Sequence, residues 1–126
     1  MSHRKVLEPN AGHPITIEPA TGRIRVRIHG ELVADTTAAL ELREATLPAV
    51  QYIPLADVAR DRLTRSDTRS YCPFKGEAGY YSVTTLAGDT VEDAIWTYEQ
   101  PYPAVAAIAG HVAFYPDKAD VSVEPA

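Results

Sequence analysis

Proline recurs ten times in 126 residues, from Pro9 to Pro125, and that spacing constrains the fold more than any other feature. Proline has no backbone donor and its ring clashes inside a helix, so a chain broken this often has little room for long helices. Short strands joined by turns remain. At this length one domain forms around a single core, burying about two thirds of its unfolded surface. Pro9, Pro14 and Pro19 crowd residues 1–22 together with Gly12 and Gly22, and we expect an extended, partly disordered N-terminal arm there. Residues 23–126 are expected to form the single domain.

From Arg23 the pattern alternates strictly. Ile24, Val26 and Ile28 share one face and Arg23, Arg25 and Arg27 the other, the period-two signature of a half-buried strand. His29-Gly30 marks a two-residue hairpin turn, returned by Glu31 to Asp35. Further short strands are predicted at Leu40–Arg43, Val50–Ile53, Tyr80–Leu86, Val91–Tyr98 and His111–Tyr115, with Val121–Val123 as an extension of the last. Pro54 suits the start of one helical turn through Val58. Ala104–Ala109, closed by Gly110, predicts a short capped helix.

Charge narrows the partners. Seventeen acidic residues against twelve basic give a net charge of -5, the wrong sign for a chain that wraps nucleic acid phosphates. No window of eighteen apolar residues offers a membrane span. Arg4 and Lys5 are followed by no apolar stretch, unlike a secretory signal. Cys72 is the only cysteine, so no internal disulfide can form, and a cytoplasmic location is expected. The same count leaves no multi-cysteine zinc site, and neither a metal nor a cofactor is anticipated.

Positive charge is concentrated between positions 60 and 75, where Arg60, Arg62, Arg65, Arg69 and Lys75 face only Asp61 and Asp67. Guanidinium groups suit planar carboxylates and phosphates, which they can grip with two donors. Tyr80, Ser82 and Thr84 share one strand face, Tyr81, Val83 and Thr85 the other, and Trp96 and Tyr98 alternate likewise. One face must be core. If the other lines a groove, Tyr81 and Trp96 would be flat apolar walls, and Arg69 and Lys75 would grip charge. Gly76 would let backbone amides approach a ligand. The expected ligand is a small planar or anionic molecule.

Cys72 lies between Arg69 and Lys75, whose charges could lower its pKa and make it a nucleophile or redox centre. Of His3, His13, His29 and His111 none is near it in sequence, and a buried, inert cysteine is the competing reading. Phosphate-loop, dinucleotide-turn, nucleophile-elbow and zinc-protease motifs are absent. Glu92 and Asp93 are adjacent, so on a strand they point to opposite faces and cannot easily act as an acid-base pair.

Several stretches resemble a bacterial family known as domain of unknown function 427. They include Val33-Ala34-Asp35-Thr36, Tyr52-Ile53-Pro54, Ser66-Asp67-Thr68-Arg69, Cys72-Pro73-Phe74-Lys75-Gly76, Tyr80-Tyr81-Ser82-Val83, Ala94 to Tyr98, and Ile108 to Tyr115. The resemblance implies a mainly β, β-tent-like architecture: two small antiparallel sheets meeting at an angle, with one or two short helices. Zinc-bearing relatives of that fold use paired cysteines. This chain lacks them, so structural zinc and two-thiol reductase chemistry do not carry over. The family also bears a nucleotidyltransferase-like label, but the Gly-Ser and Asp-x-Asp elements of such enzymes are missing.

The leading expectation is therefore a small-molecule-binding β domain. The alternatives are an enzyme working through Cys72 or with nucleotidyltransferase-like activity, and a protein-interaction module. The last would use the β edges and the face of Arg23, Arg25 and Arg27, including formation of a homo-oligomer.

Overall fold

The computed structural model describes residues 4–125. Among them, ten strands build two antiparallel sheets, and helical structure is confined to short 3-10 turns. The strands are β1 (Ile15–Pro19), β2 (Arg23–Ile28), β3 (Glu31–Thr36), β4 (Leu40–Glu44), β5 (Val50–Pro54), β6 (Leu63–Cys72), β7 (Gly76–Thr84), β8 (Thr90–Thr97), β9 (His111–Phe114) and β10 (Asp120–Glu124). A seven-stranded sheet runs in the order β1-β4-β5-β9-β8-β7-β6, and a three-stranded sheet in the order β10-β2-β3. The mainly β, two-sheet expectation holds. One sheet is more than twice the width of the other.

Alternation drives the packing as expected. Ile24, Val26 and Ile28 are buried along β2, and the hairpin that follows has positive φ at both His29 (51°) and Gly30 (79°), the pattern of a type I′ turn. Two of the three arginines on the opposite face, Arg23 and Arg25, are paired within their own sheet. Arg23 donates to Asp35 at 2.7 Å, and Arg25 donates to Glu124 at 3.1 Å.

Three expectations are corrected. The segment read as an arm carries β1, which pairs with β4 from Ile15↔Glu44 to Pro19↔Leu40. Ahead of it Leu7 N–H donates to the Pro73 carbonyl at 2.9 Å and Arg4 to Glu77 at 2.9 Å. Residues 1–3 lie outside the described residues. The short capped helix becomes 3-10 turns over Pro103–Ile108, kinked at Val105 (φ −124°). Six residues after two prolines are too few to pay for helix nucleation. Finally, Val121–Val123 does not prolong β9: it belongs to β10, which pairs with β2 in the smaller sheet.

Two apolar clusters result. One lies between the sheets, around Ile24, Val26, Ile53, Ile95 and Phe114. The other covers the far face of the large sheet, where Leu42, Tyr52, Tyr80 and Tyr98 pack with Val105 and Ile108 of the 3-10 segment. Among the described residues no helix is long and apolar enough to cross a membrane.

Candidate functional site

Strand register assigns the aromatic residues to their sides of the sheet. Across β7 and β8 Tyr80 is opposite Trp96, and Tyr81 is opposite Ile95. Residues directly opposite share a face, and neighbours along a strand do not. Tyr80 and Trp96 therefore meet on the far face, while Tyr81 packs with Ile95 against the core between the sheets.

On the far face a hollow of about 210 Å³ opens among Tyr52, Tyr80, Trp96, Tyr98 and Tyr115. Its walls hold one another. The Trp96 indole N–H donates to the Tyr52 hydroxyl at 3.1 Å, with the two rings edge-on at 89°. Trp96 and Tyr115 have centroids 4.5 Å apart, and the Tyr80 and Tyr115 rings lie parallel within 2°. Ser70 and Tyr80 share a hydrogen bond of 2.6 Å between their hydroxyls. Such contacts fix the ring planes against one another.

Lys75 and Glu44 form the charged rim. Lys75 lies in the turn between β6 and β7, its N–H donating to the Cys72 carbonyl at 3.2 Å. Its side chain is 9% exposed and its ammonium donates to the Glu44 carboxylate, itself 12% exposed. The other carboxylate oxygen of Glu44 lies 2.8 Å from His13 Nε2. His13 is placed by Asn10, whose side-chain oxygen accepts from the backbone N–H of Gly12 and His13, an Asx-type turn. Its ring stacks on Phe74 at 4.1 Å.

These surroundings set the protonation states. Burial raises the Glu44 pKa, but its bonds from Lys75 and His13 outweigh burial and hold it below the usual glutamate value. Burial pushes Tyr52 up to about 12, although its bond from Trp96 pulls the other way. Burial likewise raises Tyr98 and Tyr115 above their ordinary value. Near neutral pH Tyr52, Tyr98 and Tyr115 thus stay protonated and Glu44 stays ionised.

The residues expected to share one groove are divided. Lys75 and Trp96 border the hollow. Gly76 is buried with φ +110°, and a Cβ there would sit 3.4 Å from the Gln100 carbonyl oxygen. Its bare Cα thus accommodates the chain's own backbone. Tyr81 is on the opposite face beneath Arg65, whose guanidinium carbon is 5.2 Å from the ring centroid. Arg69 pairs with Gly79, one residue from Tyr80 and so on the other face. There it borders an open groove of about 450 Å³ with Arg4, Arg65, Glu77 and Glu99. Its guanidinium donates to the carbonyls of Ser66 and Thr68 at 3.1 and 3.0 Å.

Cys72 is partly buried, with its sulfur 3.7 Å from the Lys75 ammonium. His13, His29 and His111 have other partners, namely Glu44, Asp89 and the Ala109 carbonyl; His3 lies outside the described residues. Among the described residues no three His, Cys, Asp or Glu side chains gather to hold a metal ion.

The sequence pattern did not point to Glu44 or His13. Glu44 is one acid at a strand end, and His13 sits between Gly12 and Pro14, where no periodicity exists. Tyr98, alternating with Trp96, and Tyr52, in a short apolar strand, carried a usable signal.

No curated protein matches the sequence. A family model described as Domain of unknown function (DUF427) matches residues 16–125. That span takes in the two sheets almost entirely, together with the rim and walls of the hollow, Phe74 included. By that match the chain belongs to the family named Domain of unknown function (DUF427).

Proposed function

We propose that this domain binds a small planar molecule in the aromatic hollow, with the Lys75–Glu44 pair engaging its polar edge. The observation that carries this reading is the meeting of Tyr80, Trp96, Tyr52 and Tyr115 around one opening that is bordered by a buried ion pair. Lys75 already has its counter-charge in Glu44, which favours a neutral ligand with donor and acceptor groups over an anion. A ligand edge that accepts from Lys75 and donates to Glu44 would satisfy both. A cytoplasmic setting belongs to the same reading, supported by the single cysteine.

Trp96 is the only tryptophan, so intrinsic emission reports on the hollow directly. Titration with nucleobases, indoles, phenols and pyridine carboxamides should give a saturable change in emission and a raised Tm for at least one class, since binding to the native state stabilises it. No change in either quantity across the panel would overturn the reading.

A second reading has Cys72 as a nucleophile, favoured by the Lys75 ammonium 3.7 Å from its sulfur. It requires iodoacetamide to label the native protein at a rate that rises with thiolate formation. A thiol that reacts only after unfolding would remove this reading.

A further inference from the structure

We propose that the molecule bound in the aromatic hollow carries an apolar arm, and that this arm lies in an adjoining hollow between β5 and β9. The proposal rests on the binding reading above and names the ligand class more closely. Its structural origin is incomplete strand pairing. β5 and β9 are joined only through Ile53↔Val112 and Pro54↔His111. Tyr52 and Ala113, next in line, are not paired, and the ladder stops there.

Beside this break is a second hollow of about 350 Å³, with walls that include Gln51, Ile53, Phe114, Pro116 and Val121. Among the described residues no charged side chain borders it. Gln51, the one polar amide on its wall, turns its Nε2 to the Glu41 carboxylate at 3.0 Å. A carboxylate only accepts, so that orientation of the amide is fixed. That leaves Gln51 Oε1 buried without a partner, a single acceptor on a wall that is otherwise mostly apolar, so the hollow suits methylene groups away from Gln51.

The two hollows are neighbours that share part of their lining. Leu47, Pro48, Val50 and Trp96 border both, and Trp96 stands where a ring in the first would meet a chain in the second. Size points the same way: about 210 Å³ alone is below the roughly 300–1,000 Å³ of ordinary ligand pockets, whereas a ligand reaching into both hollows would occupy a space within that range. Leu47 is 58% exposed at the shared rim, and an arm passing beneath it would cover apolar surface otherwise left in water.

The test titrates the full chain with phenol, 4-propylphenol and 4-pentylphenol, following Trp96 emission. Each added methylene should tighten binding about threefold to fourfold in the wild type. Val121→Phe and Ala49→Phe place a ring in the second hollow without altering a wall of the first. Each should flatten the chain-length dependence while leaving phenol affinity within about twofold. Ala49 is on the exposed turn between β4 and β5, so one variant keeps the core side chains intact. Phenol binding with no chain-length dependence in the wild type would overturn the arm and leave the aromatic site standing. Dependence that survives both substitutions would overturn its placement. Failure of all three phenols to bind would overturn the arm together with the aromatic reading for phenolic ligands.

Discussion

Tyr80 stands directly opposite Trp96 across the β7–β8 pair, and this register places both rings on the side of the large sheet turned away from the smaller one. Tyr81, the next residue, shares no surface with that site. Replacing Tyr80 by Leu should weaken binding of a ligand found by Trp96 emission by about twofold to tenfold, the range of an aromatic pair contact. Tyr81→Leu should leave the affinity unchanged. Equal losses in the two variants would contradict the assignment of faces.

Lys75 and Glu44 are both nearly enclosed, so each charge depends on the other. Glu44→Gln alone should lower unfolding free energy by about 3 kcal/mol, because the Lys75 charge stays buried without its partner, and Lys75→Met should cost less, because Glu44 keeps its bond with His13. The double variant should cost clearly less than the two losses combined. Urea unfolding of the four proteins measures this coupling, and simple additivity would show that the pair is not energetically linked.

Glu44 also ties stability to pH. Its folded-state pKa is depressed, so the unfolded chain takes up the proton more readily and acid favours unfolding. The contribution is present above the ordinary glutamate value of 4.5 and is lost as pH falls through the lower folded value. Asp35 and Asp93 are depressed too, Asp35 chiefly by its bond from Arg23 and Asp93 by its bonds from Ser66 and Thr68. The stability difference between wild type and Glu44→Gln isolates the Glu44 share. It should be constant above that value and shrink below it in urea unfolding measured across the acid range. A difference that does not change with pH would refute the linkage.

Gly76 has φ +110° and lies against the backbone of Gln100 and Tyr102. Gly76→Ala should destabilise the fold by about 1–3 kcal/mol, the usual cost of holding an L-residue in such a conformation. Thermal and chemical unfolding check this. If the variant is as stable as wild type, the turn after Lys75 relaxes more freely than its contacts imply.

Much of the fold was legible because strand alternation is local. Ile24, Val26 and Ile28 announce β2, and His29-Gly30 announces its hairpin, since both depend only on residues close in sequence. The partnership of β10 with β2 was not legible: Val121–Val123 reads equally well as a continuation of β9. At the site, Lys75 and Trp96 could be picked out by composition and pattern. Choosing Tyr81 over Tyr80 required a register that alternation alone does not supply, because a shift of one residue exchanges the faces of a strand.

By itself, then, the sequence determined short strands, an absence of long helices, the hairpin turns and the two alternating sets of side chains. Those properties follow from proline geometry and from the two-residue period of an extended backbone. Tertiary structure decided what those sets face. It carried His13 and Glu44 to Lys75 from distant parts of the chain, sent Arg69 and Tyr81 to the opposite side, and left the gap beside β5. The physical reason is that ion pairing and strand pairing over long separations depend on which surfaces the whole chain buries, a choice no short window of residues contains.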